Sequence, residues 1–268
     1  MKKHLLFLSA ACLVIPVTAE AALISHYTFD ELTGTTAVDS GPAGADGLIG
    51  SNVTRGTAGV FGTAFTFNND ASQNGIVDMA DAATFPYLVA SQAVTISAWM
   101  KWTAADARDS AIFLGNNTGA NRYIDVGTTS AGKIYGRSRD AANSATPFPD
   151  LVLGTNLNDG KWHHVAYTSN AATDVTQLYI DGVLAGTTTT PAFTFTTFNN
   201  FEVGRLGRSS PTDAYSGSVD ELRIYDSILP AEDIALLAVP EPGFSVLFGA
   251  GAVGSLLLRR RSSNRASL

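Results

Sequence analysis

The stretch VTISAWMKW, residues 94 to 102, alternates apolar and polar or aromatic side chains with a period of two. Because successive side chains of a β-strand point to opposite faces, a strand here has one apolar face. That face carries Val94, Ile96, Ala98, Met100 and Trp102, and the opposite face carries Thr95, Ser97, Trp99 and Lys101. We expect the second face to be partly covered as well, since it includes Trp99.

The stretch LYIDGVLAG, residues 178 to 186, is the clearest turn signal in the chain. Asp181 and Gly182 separate two apolar runs, and Asp-Gly is favoured in hairpin turns that need a positive φ at both central residues. The pattern predicts a hairpin that pairs Gln177 to Ile180 with Val183 to Ala185.

The region from Ala22 to Ala238 is rich in Thr, Val, Phe, Tyr, Gly, Asn and Asp, which is typical of many short strands joined by turns. The only predicted helix is PAEDIALL, residues 230 to 237, with Pro230 at its first position and acidic residues in its first turn. Further strands are predicted at Leu23 to Phe29, Thr63 to Asn68, Ala111 to Leu114, Tyr123 to Val126, Lys133 to Arg137, Trp162 to Thr168, Phe201 to Arg205 and Ser218 to Tyr225. About 217 residues suffice for one domain with a sizeable core, which we place at residues 22 to 238.

The N-terminus has the features of a secretory signal. Lys2 and Lys3 precede an apolar run, and small residues at Ala19 and Ala21 are spaced as A-x-A. We expect cleavage after Ala21 and therefore export of the mature protein, with residues 1 to 21 as the signal peptide.

The C-terminus contains VPEPGFSVLFGAGAVGSLLLRRR, residues 239 to 261. The apolar run 244 to 258 is about 15 residues, or roughly 22 Å as a helix, which is short for a hydrocarbon core of ~30 Å. A buried core helix is the alternative, although the run has no polar stripe to face water. The arginines that follow would stay on the cytoplasmic side.

This order of features resembles the PEP-CTERM sorting signal of exopolysaccharide-producing Gram-negative bacteria, with segment 239 to 268 as the signal. The resemblance implies that an exosortase recognises the tripeptide and removes the tail, so residues 244 to 258 would associate with the inner membrane only transiently. The residues that carry it are Pro240, Glu241, Pro242, Arg259, Arg260 and Arg261.

The charge balance of the predicted domain is strongly acidic. Without the two terminal segments, 11 basic and 22 acidic residues remain, a net charge of −11. This balance argues against nucleic acid as a partner, because each phosphate contact needs a cation, and it makes cations such as calcium more natural ligands. The only cysteine, Cys12, lies in the signal peptide, so the mature domain has no disulfide.

A series of phrases in the domain is similar to the LamG-like jelly-roll domain of the concanavalin A-like lectin/glucanase superfamily. The phrases are LISHYTFDE, AVDSGPAGADG, AFTFNN, VTISAWMKW, DGKWHHVAYT, LYIDGVLAG and GSVDELRIYDSILPAEDI, and they extend from residue 23 to 234. The resemblance implies an all-β fold, a sandwich of two antiparallel sheets, with the N- and C-terminal strands paired side by side. Members of this superfamily often bind calcium.

Acidic residues at the ends of the first and last strands are the candidate calcium ligands. Pairing of the terminal strands would bring Asp39, Asp46 and Asp220 towards one another, with Asp30 and Glu221 as secondary candidates. Carboxylates in a flexible loop suit calcium. The alternative is that they accept hydrogen bonds in turns or face solvent.

Aromatic and basic residues in the variable middle of the chain are the candidate ligand-binding residues. Tyr123, Tyr135 and Arg137 could line a concave face and contact a sugar, although large aromatics of a sandwich are mostly core residues. Trp99 and Trp162 lie in phrases shared with the family, and we therefore assign them to packing.

The sequence contains no recognisable catalytic motif. Glucanases need two carboxylates on one face of a strand, whereas Asp220 and Glu221 are adjacent and would point to opposite faces. The leading hypothesis is a non-catalytic exported module that binds carbohydrate or protein at the cell surface or in the exopolysaccharide matrix. A structural matrix protein without a dedicated ligand and a polysaccharide-active enzyme are the alternatives.

Overall fold

A computed structural model describes residues 21–79, 81–103, 106–116, 122–139, 150–189 and 198–240. The predicted signal peptide up to Glu20 and the tail from Glu241 onwards lie outside the described residues. The predictions for the sorting tripeptide beyond Pro240, for the segment 244 to 258 and for Arg259 to Arg261 are therefore not addressed by the structure.

The described residues form short strands, two α-helices and one 3-10 turn. The strands are Leu23–Tyr27 (β1), Thr36–Ala37 (β2), Gly47–Ile49 (β3), Thr54–Ala58 (β4), Thr63–Asn68 (β5), Val77–Met79 (β6), Ala93–Lys101 (β7), Asp109–Gly115 (β8), Tyr123–Thr128 (β9), Ile134–Arg139 (β10), Leu151–Leu153 (β11), His163–Asn170 (β12), Val175–Ile180 (β13), Val183–Thr189 (β14), Asn200–Val203 (β15) and Ser216–Tyr225 (β16). The helices are Asp81–Ser91 (α1) and Ala231–Leu237 (α2).

The strands form two antiparallel sheets. The first sheet has the order β14-β13-β12-β7-β16-β5-β4, with β1 paired to β16, and the second has the order β11-β10-β9-β8-β15-β6-β3-β2. The first and last strands pair from Leu23 opposite Tyr225 to Tyr27 opposite Leu222, with a bulge near Leu23. The predicted all-β sandwich and the predicted pairing of the terminal strands are confirmed.

Strand β7 lies between β12 and β16 in the first sheet, and its two faces have different environments. The predicted apolar face is buried in a hydrophobic core that also includes Ile112, Ile124 and Phe201 of the second sheet. On the opposite face Trp99 is only 5% exposed, and its ring packs edge-on against His164 at 5.4 Å. Both predictions for VTISAWMKW are confirmed.

Helix α2 covers part of the outer face of the first sheet. Ile234 is fully buried against Ala166, Tyr179 and Leu229. Pro230 precedes the helix, and Glu232 and Asp233 lie in its first turn, where acidic side chains interact favourably with the positive end of the helix. The prediction of this helix is confirmed.

Helix α1 was not predicted, and the expectation of a single helix was wrong. Pro86 lies inside the segment and is unfavourable in a helix interior. Tertiary packing outweighs this preference, because Phe85 and Leu88 are buried in the main core and Phe85 packs edge-on against Phe198 at 5.5 Å.

The five short strands β2, β3, β4, β6 and β11 were also not predicted. Neither helix in the described part of the chain is long and apolar enough to cross a membrane.

The predicted hairpin between β13 and β14 is confirmed. Ile180 pairs with Val183, and the turn residues Asp181 and Gly182 have φ values of 50° and 77°. A Cβ atom on Gly182 would lie 3.0 Å from the Cβ of Ala238 and 3.1 Å from the Cα of Ala235. The turn therefore packs closely on the last turn of α2.

Replacement of this glycine tests the contact between the hairpin and the helix. We expect Gly182→Ala to lower the free energy of unfolding by about 1–2 kcal/mol from the positive φ alone, and by more because the added methyl group displaces α2. Gly34→Ala is the matched control, since Gly34 has φ 86° and a Cβ there would have no neighbour within 4 Å. Denaturant unfolding of both variants measures the difference, and an equal loss in the two would contradict the packing argument.

Candidate functional site

The first predicted calcium ligand, Asp39, organises the loop that follows β1. Its Oδ1 accepts backbone N–H groups from His26 and Gly41, both at 2.8 Å, and its Oδ2 accepts that of Ala45 at 2.8 Å. The backbone N–H of Asp39 in turn donates to Oδ1 of Asp46 at 2.9 Å. Both oxygens of Asp39 are therefore used by the backbone of the loop.

The other predicted calcium ligands have separate partners. Oδ2 of Asp220 accepts the backbone N–H groups of Val60 at 2.7 Å and Phe61 at 3.1 Å. Oδ1 of Asp30 accepts the backbone N–H of Thr63 at 2.7 Å. Glu221 is buried at a positive φ, and its Oε2 contacts Nε2 of His26 at 2.8 Å and the guanidinium of Arg223.

These carboxylates do not fit a single calcium site. Within the described ranges, no three His, Cys, Asp or Glu side chains lie close enough together to hold a metal ion. The hydrogen bonds of Asp39, Asp220 and Asp30 correspond to the alternative role, in which acidic side chains fix turns and loops. Calcium binding by the protein stays a prediction.

Asp220 has an unusual environment for a carboxylate. It is fully buried, and no hydrogen-bond partner of its Oδ1 is found among the described residues. Burial, partly offset by the hydrogen bonds from Phe61 and Val60, raises the pKa of Asp220 to about 7. In a substantial fraction of the molecules, this side chain is therefore neutral at physiological pH.

The structure brings the predicted ligand-binding residues Tyr123, Tyr135 and Arg137 together on the face of the second sheet that points away from the core. The centre of the Arg137 guanidinium lies 5.3 Å from each tyrosine ring centroid. The buried Asp125 opposite Arg137 accepts the Arg137 Nε–H at 2.8 Å and the Tyr135 hydroxyl at 3.0 Å. The hydroxyl of Ser110 donates to Oδ1, the second carboxylate oxygen of Asp125.

These side chains are largely inaccessible. Tyr123 is 1% and Tyr135 is 0% exposed, and the Arg137 side chain is 13% exposed. Burial, with the negative charge of Asp125, raises the pKa of Tyr135. The cluster has the properties of an internal polar network, and its role in ligand binding stays a prediction.

An open cavity of about 270 Å³ lies elsewhere, on the outer face of the first sheet. It is located where β5, β16 and the end of β7 lie side by side. Its lining residues are Thr66, Phe67, Asn68, Lys101, Trp102, Thr103, Gly160, Ser216, Gly217 and Ser218. We refer to this cavity as the hydroxyl pocket.

Hydroxyl groups connect the strands at the base of the hydroxyl pocket. The Oγ1 of Thr66 is 2.7 Å from the Oγ of Ser218 on β16 and 2.9 Å from the Oγ1 of Thr57 on β4. Asn68 is exposed at the rim, where its amide donates to the carbonyl of Asn52 at 3.0 Å. The pocket therefore presents groups that both donate and accept hydrogen bonds.

The cation of the hydroxyl pocket lies against an aromatic ring. Nζ of Lys101 is 4.6 Å from the ring centroid of Trp162, which is half-buried. Trp162, which we assigned to packing, therefore packs against Lys101. The sequence signal for this arrangement was the alternation in VTISAWMKW, which places Lys101 on the face away from the core.

Sequence comparison assigns most of the chain to two family profiles. Residues 64 to 235 match the profile of the concanavalin A-like lectin/glucanases superfamily. Residues 238 to 261 match the PEP-CTERM protein-sorting motif. No curated protein matches the sequence.

Many solved structures share the fold. Domain 4 of the extracellular arabinanase AbnA from Geobacillus stearothermophilus, solved with arabinotriose, is 23% identical with a TM-score of 0.55, and the match covers 82% of this chain and 100% of that one. A botulinum neurotoxin type C, whose cell entry depends on two ganglioside molecules, is 14% identical with a TM-score of 0.60 and coverage of 81% and 50%. A Trypanosoma rangeli sialidase is 16% identical with a TM-score of 0.60 and coverage of 81% and 32%. This chain spans about half of the neurotoxin chain and a third of the sialidase chain, and at these identities the likeness shows the fold alone.

The pKa of Asp220 predicts how stability depends on pH. A carboxyl whose pKa is raised from 3.8 in the unfolded chain to about 7 in the folded protein stabilises the fold at low pH, and this contribution is lost as the pH rises through about 7. The raised pKa of Asp109, about 6, and the lowered pKa of His164, about 4, act mainly below pH 6.5. Between pH 6.5 and 8 we expect Asp220 to cost about 1 kcal/mol of unfolding free energy.

Denaturant unfolding at pH 6.5 and pH 8 checks this expectation. The decrease should be smaller in Asp220→Asn, whose side chain cannot ionise. Asp159→Asn should keep the wild-type decrease, because hydrogen bonds from Lys161 lower the pKa of Asp159 to about 2, so that it is ionised throughout this range. An unchanged decrease in Asp220→Asn would contradict the assignment.

The internal network around Asp125 predicts a large stability effect. Arg137→Ala leaves a buried carboxylate without its cation, and we expect a loss of roughly 3–5 kcal/mol in unfolding free energy. Arg139→Ala on the same strand is the control, because Arg139 contacts only the Tyr123 hydroxyl, at 3.5 Å, among the contacts of the described residues. A loss below 1 kcal/mol for Arg137→Ala in thermal or chemical unfolding would show that the guanidinium does not support the fold.

Proposed function

This chain belongs to the concanavalin A-like lectin/glucanase superfamily and contains a PEP-CTERM sorting motif at residues 238 to 261, and we propose that it is an exported, non-catalytic carbohydrate-binding module. The observation that carries the proposal is the hydroxyl pocket on the outer face of the first sheet. The fold alone does not determine the function, because the same scaffold supports many different sites.

The chemistry of the hydroxyl pocket is suited to a sugar. A sugar ring presents several hydroxyl groups that each donate and accept hydrogen bonds. The hydroxyls of Thr66 and Ser218, which bond to each other, and the amide oxygen of Asn68, whose Nδ2 already donates to Asn52 and Thr54, keep acceptor positions for them.

The aromatic residues that line the pocket are Phe67 and Trp102, whereas the Trp162 ring is contacted by the Lys101 ammonium group. Polar groups in a fixed arrangement, together with an aromatic ring, provide both orientation and contact area.

The size of the hydroxyl pocket indicates how much of a glycan it holds. Its volume of about 270 Å³ lies just below the range of ~300–1,000 Å³ that is typical of small-molecule sites. A single sugar residue, or the end of a chain, is therefore a better fit than a long oligosaccharide.

The composition of the hydroxyl pocket favours binding over hydrolysis. Most glycosidases use a pair of carboxylates on either side of the scissile bond. No Asp or Glu is found among the described residues that line the pocket. Hydrolysis at this place would therefore need groups supplied from elsewhere.

Export determines where the module acts. PEP-CTERM motifs mark exported proteins that are sorted to the cell envelope. We propose that an exosortase recognises Pro240 to Pro242, that segment 244 to 258 holds the protein at the inner membrane before processing, and that the domain then reaches the cell surface or the surrounding polysaccharide. Extracellular glycans would be its partners there.

Carbohydrate binding is tested with the exported protein on a glycan array and on the polysaccharide of its host, with calcium and with a chelator. We expect binding, and a roughly tenfold weakening in the double variant Thr66→Val, Asn68→Ala, because two hydrogen-bonding groups are lost. Thr187→Val on the exposed β14 of the same sheet is the matched control and should bind like the wild type. The two calcium conditions also test whether the protein needs the metal.

Two outcomes would contradict the proposal. Binding to no carbohydrate in either condition would favour a structural matrix protein. Release of reducing sugar, abolished by the substitution of one carboxylate, would show an enzyme.

A further inference from the structure

Lys101 is the charged residue among the described residues that line the hydroxyl pocket. Its position is fixed on two sides, since its backbone lies opposite Ser218 on β16 and its Nζ lies 4.6 Å from the centroid of the Trp162 ring. Contact with an aromatic ring orients an ammonium group but does not neutralise its charge. Lys101 therefore lines the pocket with its ammonium group against the Trp162 ring.

This ammonium group has no carboxylate partner in the described part of the chain. Ion pairs there are formed by other cations, for example Lys161 with Asp159 and Arg137 with Asp125. Other cations, such as Arg55 and Arg139, also have no acidic partner in the described part of the chain, and Lys101 differs from them because it lines the hydroxyl pocket. Lys101 keeps its hydrogen-bonding capacity for a group that enters the pocket.

We propose that the hydroxyl pocket binds an acidic sugar residue, whose carboxylate or sulfate accepts a hydrogen bond from Nζ of Lys101. The inference rests on the proposed carbohydrate binding and specifies its ligand class. The hydroxyls of Thr66 and Ser218 bind the ring hydroxyls, and the Trp162 ring lies alongside. A hydrogen bond between an ammonium and an anionic oxygen is stronger than one between neutral groups, so the acidic sugar is preferred over its neutral analogue.

The net charge of the domain excludes general electrostatic attraction as the source of a preference for acidic sugars. A domain with a net charge of −11 repels a polyanion at long range. Preference for an acidic polymer therefore cannot come from general attraction, and it requires a local contact such as that with Lys101.

The test compares polygalacturonate, the same polymer after reduction of its carboxylates to hydroxymethyl groups, and a sulfated galactan with its desulfated form. The exported protein is titrated with each polymer, and dissociation constants are compared. We expect at least about tenfold tighter binding to one acidic polymer than to its neutral partner, and the pair that shows it identifies the anionic group. Because the change is made in the ligand, the comparison does not depend on the folding of a variant.

Variants of the protein then locate the contact. Lys101→Gln should bind the acidic and neutral forms equally, whereas Lys133→Gln, which removes the same charge between β9 and β10 of the other sheet, should keep the preference. Equal binding of acidic and neutral forms by the wild type would overturn the acidic-sugar assignment but leave carbohydrate binding intact. A preference that persists in Lys101→Gln would overturn the role of this lysine, and failure to bind any glycan would overturn the proposed function itself.

Discussion

The alternation of side chains along β7 is the constraint on which the rest of the structure depends. One face of the strand contributes Ile96, Ala98 and Met100 to the core that joins the two sheets. The pleat then forces Ser97, Trp99 and Lys101 to the opposite face. Because the apolar positions must stay in the core, a shift of one residue in register is excluded, and the position of Lys101 beside the hydroxyl pocket follows from core packing rather than from any preference of its own.

The acidic composition of the domain has a structural explanation. Asp39, Asp125 and Asp220 are all buried, and each accepts hydrogen bonds from backbone N–H groups or from neighbouring side chains. Loops between short strands leave many backbone N–H groups without a strand partner, and a carboxylate can accept two or three of them. Much of what appears in the sequence as a candidate metal site is therefore used to hold loops in place.

Most of the fold could be predicted from the sequence, but less of the candidate site could. Strands with a clear alternation, such as β5, β7 and β16, were predicted within two residues, and the hairpin at Asp181 was predicted with its turn. Short strands such as β2 and β6 were missed, because two or three residues carry no recognisable period and are ordered by their neighbours in the sheet. Helix α1 was missed for a similar reason, since its stability comes from burial of Phe85 and Leu88 rather than from helix propensity.

The candidate site was less predictable because it depends on which strands are neighbours. Tyr123, Tyr135 and Arg137 lie together in the structure, and their role in binding stays a prediction. Their burial results from the strand pairing and from Asp125 on the adjacent strand, which cannot be read from the sequence. The hydroxyl pocket combines residues from β5, β7 and β16, and Thr66 on β5 is 152 positions from Ser218 on β16. A single Thr or Ser on a strand is common, and only the order of the strands in the sheet shows that Thr66 and Ser218 are adjacent.

The short helix α2 covers only part of the outer face of the first sheet. Helix α2 has 7 residues and is therefore only about 10 Å long, so it can cover only part of a face that is several strands wide. Under the helix the outward residues are apolar or aromatic, as with Ala166 and Tyr179, whereas at the hydroxyl pocket they are Thr66, Ser218 and Lys101. The contact of Lys101 with Trp162 is one of several between a cation and an aromatic ring in the described residues, and it is the one that involves a residue lining the hydroxyl pocket.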